Sequence, residues 1–259
     1  MSAKRIAVIT GASSGIGEAT ARALAGRGWR CVLLARRADL LATIAAEIGG
    51  EWETCDVADR AEVEAVASRI LERHPAVGLL VNNAGVPARG SFLDIDPERL
   101  EAVLDVNYLG GVWCLRAFEP GLRRAAASGG AHVVNVVSVA GTVAFAPAGG
   151  YAAAKHAQLA FSRSSAALLR DTGIRVHTIL PGFVETEGFP QRTKLRSRLL
   201  RLFVIEADEV ASAIVRAVEK GKAEVTIPWF PYRLVSIAQA LFPGLVAGMA
   251  ARATAHRDE

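Results

Sequence analysis

Cysteine is scarce in this sequence, with three residues among 259. Cys31, Cys55 and Cys114 do not have the close spacing typical of metal-binding motifs, so no metal site is expected. Cys31 and Cys114 fall in or beside apolar, strand-like runs. Buried free thiols in a reducing compartment are therefore the simplest interpretation.

An excess of one charge and long apolar runs are also lacking. Thirty Lys and Arg against 26 Asp and Glu give a net charge of +4, too weak to indicate nucleic-acid binding. The run Ile6–Ile9 is too short for the core of a signal peptide. No uninterrupted apolar stretch reaches the roughly 20 residues that span a bilayer. The nearest candidate, 229–250, contains Pro231, Arg233 and Pro243, and it is interpreted as a buried or interfacial segment. We expect a cytoplasmic protein.

The composition, 51% hydrophobic and 22% charged, excludes a disordered or fibrous chain. Strand-like runs alternate with helix-like stretches, and continuous Val, Ile and Leu runs are typical of strands covered on both faces. This alternation predicts one α/β domain over 1–259, with a doubly wound parallel sheet of about seven strands and helices on both faces. The predicted strands are Arg5–Ile9, Arg30–Leu34, Glu51–Cys55, Val77–Val81, His132–Val137, Arg175–Leu180 and Ala223–Ile227. The predicted helices are Gly15–Arg27, Asp39–Ile48, Arg60–His74, Pro97–Arg124 and Tyr151–Asp171.

A glycine-rich turn, TGASSGIG, joins the first predicted strand to the first predicted helix at Thr10–Gly17. Glycine lets the backbone turn tightly and approach a pyrophosphate, and the helix N-terminus offers free N–H groups to the anion. Nucleotide binding is the favoured interpretation, although a strand-to-helix corner can need glycine for structural reasons alone.

The end of the second predicted strand bears on the choice of cofactor. The sequence there is Ala35-Arg36-Arg37, without the acid that holds the ribose 2′-hydroxyl of NAD. A guanidinium binds the 2′-phosphate of NADP at two points, so NADP is favoured over NAD. Two solvated arginines are the alternative. Asp39, slightly later, is interpreted as the N-cap of the next helix.

Tyr151 and Lys155 lie four residues apart in a predicted helix and so share one face. A neighbouring ammonium favours the phenolate and is expected to lower the tyrosine pKa, which suits acid–base chemistry. This spacing is common on solvated faces, so it carries little alone. Ser138 ends the fifth predicted strand, at the sheet edge where α/β proteins bind ligands, and it can place a hydroxyl beside Tyr151.

Together these motifs resemble the short-chain dehydrogenase/reductase family, whose fold is Rossmann-type. The matching residues occur in the family's order between residue 5 and about residue 186. They are Thr10–Gly17, Cys55-Asp56-Val57, Asn82-Asn83-Ala84-Gly85, Asn107, Ser138, Tyr151-x-x-x-Lys155 and Pro181-Gly182.

The resemblance implies a role for each catalytic position. Tyr151 would exchange a proton with the substrate oxygen, and Ser138 would polarise that oxygen. Lys155 would lower the Tyr151 pKa and bind the nicotinamide ribose, while Asn107 would hold a water that relays protons to Lys155. Asp56 would contact adenine with Val57 beside it, although a capping role for Asp56, a turn at Asn82-Asn83 and a structural Asn107 remain alternatives. The implied cofactor-binding residues are Gly11, Ser13, Ser14, Gly15, Ile16, Gly17, Arg36, Arg37, Asp56, Val57, Asn83, Ala84, Gly85, Tyr151, Lys155, Pro181, Gly182, Val184 and Thr186.

The resemblance also assigns residues 183–205 to a substrate lid, followed by a C-terminal extension over 228–259. Apolar side chains on both sides favour a lipophilic ketone or alcohol, such as a steroid, a retinoid-like molecule or a long-chain carbonyl. These side chains are Val143, Phe145, Pro147, Phe183, Phe189, Leu195, Leu199 and Phe203. The lid also carries cations next to leucines at near-helical spacing, which could lie on an anionic membrane, attract an acyl carrier or CoA ester, or form a solvated basic face. The cations are Arg192, Lys194, Arg196, Arg198 and Arg201.

Three functions compete on these observations. The favoured one is an NADP-dependent oxidoreductase with a small-molecule substrate. The others are a dinucleotide-binding regulator without catalysis and a module that docks on a membrane or a partner. The complete set of four catalytic positions favours the enzyme. Family members commonly pair through Ala102–Phe118 and Tyr151–Asp171, so a homodimer or homotetramer is expected.

Overall fold

The strands and helices follow one another in the predicted alternation. The computed structural model describes residues 5–88, 90, 93–143, 149–193, 201–246 and 248. The strands are β1 (Ile6–Thr10), β2 (Arg30–Ala35), β3 (Glu51–Thr54), β4 (Leu79–Asn82), β5 (Ala131–Val136), β6 (Ile174–Pro181), β7 (Val184–Glu185), β8 (Ile205–Glu206) and β9 (Glu224–Ile227). The α-helices are α1 (Gly15–Ala25), α2 (Ala38–Ile48), α3 (Arg60–Arg73), α4 (Pro97–Leu104), α5 (Gly110–Gly129), α6 (Gly149–Leu168), α7 (Ala207–Lys220) and α8 (Tyr232–Leu241).

Seven strands form one parallel sheet in the order β3-β2-β1-β4-β5-β6-β9, and β7 pairs with β8 separately. Helices α1, α2 and α7 cover one face, where Leu24, Leu41 and Ile214 are buried. Helices α3, α5 and α6 cover the other, around Ile70 and Phe118. The predicted doubly wound sheet is confirmed. Since all seven strands run the same way, their carboxyl ends meet at one edge.

Two predicted boundaries are wrong for local reasons. The fourth strand begins at Leu79 and not at Val77, because the Val77 N–H donates to the Gly121 carbonyl of α5 and not to a neighbouring strand. The predicted helix over Pro97–Arg124 is two helices joined by a π-helical turn, Asp105–Leu109, and α5 runs on through alanines to Gly129.

The C-terminal extension differs from the expected buried segment. Tyr232 is 8% exposed, but Trp229, Phe230 and Leu241 are 58%, 57% and 65% exposed. Of the two interpretations, the buried one is therefore wrong for most of its large side chains, and the interfacial one stays a prediction. In the described part of the chain, no helix is long and apolar enough to cross a membrane.

All three cysteines are free and buried, as predicted. Burial raises the pKa of Cys31 and of Cys55 to about 12, so neither thiol ionises near neutral pH. These side chains serve packing and offer no reactive thiolate.

Two histidines meet at the amino edge of the sheet, opposite the predicted site. The rings of His132 and His177 are stacked, and the His132 Nδ1 lies 2.9 Å from the His177 Nε2. The His177 Nδ1 lies 2.7 Å from the Lys222 carbonyl oxygen. Burial, then the charges of His177 and Arg175, lower the His132 pKa from 6.5 to about 4. The pair is therefore neutral in the folded protein at neutral pH.

Candidate active site

The glycine turn packs against the loop that follows β4, the strand next to β1 in the sheet. Gly11 has a left-handed φ of +63°, and a Cβ there would lie 2.8 Å from the Ala84 Cα. A Cβ on Gly17 would lie 2.3 Å from the Gly11 carbonyl oxygen. Ser14 stands at the N-cap of α1, yet its side chain does not cap the helix. The turn is thus compact, and the first N–H groups of α1 are not bonded by that hydroxyl, which fits a pyrophosphate site.

We expect Gly17→Ala to destabilise the turn and weaken dinucleotide binding. The added methyl group would clash with backbone, which cannot move aside as a flexible side chain can, and overpacking of this kind costs about 1–3 kcal/mol. Thermal unfolding and dinucleotide titration would measure the two effects. Gly26→Ala is the matched control, since Gly26 is right-handed and a Cβ there would lie 3.6 Å from the Arg22 carbonyl oxygen, an ordinary contact. Equal behaviour of the two variants would contradict the prediction.

Asn83 fixes the turn in place. Its side-chain amide donates to the Thr10 and Gly11 carbonyls at 3.0 and 3.3 Å. The Thr10 hydroxyl oxygen in turn accepts from the Asn83 and Ala84 N–H groups, each at 3.0 Å. The Asn83 amide is therefore committed to structure, which supports the turn interpretation, and its predicted contact with the cofactor stays a prediction.

The two predicted phosphate-binding arginines have different surroundings. Arg37 donates from Nε to the Ser13 hydroxyl at 3.1 Å and from a terminal nitrogen to the Ser14 hydroxyl at 2.6 Å. Its other terminal nitrogen lies 3.3 Å from a Glu187 oxygen. This cluster joins the end of β2 to the glycine turn. Arg37 with two hydroxyls can hold a phosphate group there, provided that the exposed carboxylate of Glu187 gives way.

Arg36 instead lies 3.6 Å from an Asp56 carboxylate oxygen. The other Asp56 oxygen accepts from the Ala58 N–H at 3.0 Å, so the carboxylate caps its own turn as the alternative interpretation holds. Val57 is buried against Gly110 at the start of α5. The predicted adenine contacts of Asp56 and Val57 stay predictions. Ile16 is partly buried and packs against the apolar core, and its predicted contact with the cofactor stays a prediction.

The catalytic hydroxyls meet at the carboxyl edge of the sheet. Ser138 follows β5, where its hydroxyl accepts from the Ala140 N–H at 3.1 Å and donates to the Pro181 carbonyl at 3.4 Å. Tyr151 lies in the first turn of α6, close enough to Ser138 for that hydroxyl to oppose part of the rise that burial causes in the Tyr151 pKa. The structure thus brings together the two groups that the sequence placed on one substrate oxygen.

The Lys155 side chain is 3% exposed, and its ammonium lies near the Tyr151 ring. Its ammonium donates to the Val136 carbonyl at 3.2 Å and to the Gln158 side-chain oxygen at 2.7 Å, and it lies 5.7 Å from the centre of the Tyr151 ring. Burial lowers the Lys155 pKa to about 7. Gln158 has no place in the sequence motif, but its position one turn after Lys155 could have indicated it.

The expected depression of the Tyr151 pKa is wrong for this structure. Burial raises the Tyr151 pKa to about 12, and the Ser138 hydrogen bond opposes that rise only in part. The physical reason is that burial disfavours the phenolate. The Lys155 ammonium donates to Val136 and Gln158, and burial also lowers the Lys155 pKa, so its charged form is disfavoured as well.

Asn107 lies in the π-helical turn and is 1% exposed. Its amide donates to the Val86 and Val103 carbonyls, each at 2.9 Å, and its oxygen accepts from the Val86 N–H at 3.2 Å. A Cβ on Gly85 would lie 2.7 Å from the Asn107 oxygen and 3.8 Å from the Lys155 nitrogen, so the three residues meet. The Asn107 side chain is structural, and its water relay stays a prediction.

A buried polar chain behind the site was missed from the sequence. The Asn82 amide donates to the Asn135 oxygen at 2.9 Å, and the Asn135 amide donates to the Ser162 hydroxyl at 2.9 Å. The Ser162 and Thr178 hydroxyls lie 2.7 Å apart. These bonds link β4, β5, α6 and β6 directly beneath the catalytic edge. The sequence did offer a signal for this chain: a polar Asn or Thr side chain occurs within each of the otherwise largely apolar strands β4, β5 and β6.

Residues of the predicted lid lie on the other side of the site. The Phe189 ring lies 6.0 Å from the Tyr151 ring, and a Cβ on Gly15 would lie 3.0 Å from a Thr186 methyl carbon. Phe183, Phe203 and Val143 pack in one apolar cluster beside Ser138. The predicted lid and wall residues outside the described residues are Lys194, Leu195, Arg196, Arg198, Leu199, Phe145 and Pro147.

Tyr232 joins the C-terminal extension to this site. Its ring would overlap a Cβ on Gly182, at 2.1 Å, and packs edge-on to Phe183 at 6.0 Å between ring centres. Its hydroxyl donates to the Phe203 carbonyl and accepts from the Phe183 N–H, each at 3.3 Å. One side chain therefore holds both ends of the lid and the loop at Pro181-Gly182. No motif in the sequence pointed to it.

Comparisons with known proteins agree with this geometry. The family model described as short chain dehydrogenase matches residues 5–196. An uncharacterized oxidoreductase of Mycobacterium tuberculosis is 46% identical over 184 residues, covering 71% of each chain. A variant of actinorhodin polyketide ketoreductase solved with NADPH is 27% identical, with a TM-score of 0.76 over 86% of this chain and 95% of that one.

A further similar structure contains the other cofactor. It is a short chain dehydrogenase/reductase from Burkholderia phymatum in complex with NAD, 28% identical, with a TM-score of 0.79 over 92% of this chain and 95% of that one. The family model covers most of the chain and includes every predicted catalytic position. The chain therefore belongs to the short-chain dehydrogenase family.

Proposed function

We propose that the protein is an NADP(H)-dependent oxidoreductase that interconverts a lipophilic ketone and its secondary alcohol. The observation that carries this proposal is the contact between Ser138 and Tyr151, one helical turn from Lys155 and beside the glycine turn. A regulator without catalysis would not need two hydroxyls aimed at one point.

The dinucleotide, when bound, supplies the hydride that moves to or from the carbinol carbon. Gly11, Gly17 and the start of α1 would hold its pyrophosphate, and Arg37 with Ser13 and Ser14 would hold the 2′-phosphate. The tight turn and the cluster at the end of β2 both fit those groups.

The chain's own residues move the proton. With a pKa of about 12, Tyr151 is protonated at neutral pH, which is the form that donates to a carbonyl oxygen. The Ser138 hydroxyl donates only weakly to Pro181, at 3.4 Å, so it can turn to the substrate oxygen and polarise it. Lys155 lies beside them and donates to Val136 and Gln158, and with a pKa lowered to about 7 it can gain or lose a proton near neutral pH.

The substrate is inferred from the walls. Phe189 lies against Tyr151, and the cluster with Phe183, Phe203 and Val143 is apolar. Such walls favour a substrate with an apolar body and one polar oxygen, for which a ketone within a long or polycyclic hydrocarbon is suitable. The similar actinorhodin polyketide ketoreductase, as its name states, also acts on a ketone.

A substrate panel followed by NADPH absorbance tests this function. We expect higher kcat/KM for long-chain and polycyclic ketones than for small polar sugars, and turnover with NADPH above that with NADH. Preference for the sugars would remove the lipophilic substrate, and failure on every carbonyl despite dinucleotide binding would favour the regulator.

A further inference from the structure

Gln158 is a polar residue buried in the face of α6 that packs on the sheet. It is 1% exposed, and Lys155, three residues earlier on the same face of the helix, is 3% exposed. The Gln158 side-chain oxygen accepts from the Lys155 ammonium at 2.7 Å. Because an ammonium has donors and no acceptor, the oxygen of the amide and not its nitrogen must face it. The lysine therefore fixes the orientation of this buried amide.

Packing alone does not explain a glutamine at this position. Glutamine is mostly found at the surface of proteins, and an amide without a partner is costly to bury. Within the described residues, the Gln158 side chain bonds to Lys155 alone. Ala154 and Leu159, nearby on the same helix, are buried and apolar, which is what packing against a core requires. The amide in the interior therefore serves Lys155.

The Lys155 ammonium has few other neighbours. Its second bond is to the Val136 carbonyl at 3.2 Å, at the end of β5. The centre of the Tyr151 ring lies 5.7 Å away on the same helix, and the Asn107 amide approaches from the π-helical turn. In the described part of the chain no carboxylate pairs with the ammonium, and burial is the one cause that shifts its pKa. Among these neighbours, Gln158 is the side chain that stabilises the charge by a hydrogen bond.

We propose that Gln158 is a positioning residue of the active site, whose oxygen keeps the Lys155 ammonium charged and in place beside Tyr151. A hydrogen bond to a charged group favours the charged form, and the effect is stronger where water is excluded. Resting on the proposed function, a charged Lys155 stabilises the phenolate that remains when Tyr151 gives its proton to the substrate oxygen. Gln158 thus acts on the proton transfer through Lys155.

Two variants of Gln158 with opposite expected effects test this role. Gln158→Met keeps the length of the side chain but removes the acceptor. The charged lysine is then disfavoured, and its titration should move down by about one to two pH units. Gln158→Glu replaces the amide with a carboxylate, which favours the ammonium, so the titration should move up. A general disturbance of the packing would not produce shifts of opposite sign.

NMR titration of the full-length protein measures these shifts without turnover. The sequence has five lysines, so a protein isotope-labelled at the lysine Cε atoms gives five signals. We expect one signal to titrate near neutral pH, well below the value of about 10.4 for a solvated lysine, and Lys155→Met assigns it. Ser165→Ala is the matched control, because Ser165 is also buried on α6 but lies ten residues after Lys155. It should leave the midpoint unchanged.

Thermal unfolding of each variant shows whether it is folded. A Lys155 midpoint that Gln158→Met leaves unchanged would overturn the proposal, as would shifts of the same sign in both variants. If Gln158→Met does not fold, Gln158→Glu decides alone, because an unchanged or lowered midpoint in that variant contradicts the role.

The pH profile of ketone reduction gives the second readout. Since the ammonium is lost as the pH rises, kcat should fall on the alkaline side. That fall should move to lower pH in Gln158→Met and to higher pH in Gln158→Glu, while KM for the ketone hardly changes. A profile that neither variant moves would overturn the link to catalysis. If the lysine titration moves as expected and no carbonyl is turned over, the proposed function fails while the assignment of Gln158 to Lys155 stands.

Discussion

Tyr151→Phe is expected to lower kcat by about 10³-fold while leaving NADPH affinity nearly unchanged, since proton transfer by a positioned side chain contributes about 10²–10⁴-fold. The phenylalanine ring keeps the contact with Phe189 but removes the proton that the Ser138-bound phenol would donate. Steady-state kinetics with the best ketone, together with NADPH titration by fluorescence, would separate the two effects.

Tyr108→Phe is the matched control, because it makes the same chemical change in a ring that packs edge-on to Phe161. We expect wild-type kinetics from it. Substantial residual turnover in Tyr151→Phe would show that another group supplies the proton. Loss of NADPH binding would instead assign Tyr151 mainly to holding the cofactor.

Arg37→Ala is expected to raise KM for NADPH by about 10–100-fold, since a hydrogen bond to a charged group is worth about 1.5–3 kcal/mol. KM for NADH and kcat should hardly change, because the lost contact is equal in ground and transition states. Arg37 is the better placed of the two arginines, since it bonds the Ser13 and Ser14 hydroxyls of the glycine turn. Kinetics with both dinucleotides measure the ratio.

Arg22→Ala serves as the control, since Arg22 lies on α1 but pairs with Glu18 and Glu47. Arg36→Asp supplies an acid at the end of β2, and we expect it to reverse the preference from NADPH to NADH. A wild-type protein that prefers NADH, or an Arg37→Ala variant with an unchanged dinucleotide ratio, would contradict the assignment.

The sequence predicted those features that depend on local pattern. Continuous apolar runs and glycine stops predicted all seven strands of the sheet, because burial on both faces leaves few other residue types possible. The contact of Ser138 with Tyr151 followed from a strand end and a helix start. The strands and this contact were predictable because the periodicity of the sequence places their residues on strands and at strand and helix ends.

Features set by tertiary contacts were not predictable in this way. The Tyr151 pKa depends on how much water the closed fold excludes, and a single helical turn to Lys155 does not report that. Tyr232 reaches Phe203 across 29 residues of sequence, through contacts that no local pattern encodes. Helix α8 has an apolar side, but only the fold decides that this side faces outward.

The stacked histidines at the far edge of the sheet bear on any acid limb of an activity profile. The unfolded chain takes up a proton at His132 near pH 6.5, whereas the folded protein resists it until about pH 4. The stability that this pair contributes is therefore complete above pH 6.5 and declines as the solution is acidified toward pH 4. Loss of stability at the edge remote from the chemistry can therefore lower activity in that window, and unfolding measured over the same pH range distinguishes it from titration of a catalytic group such as Lys155.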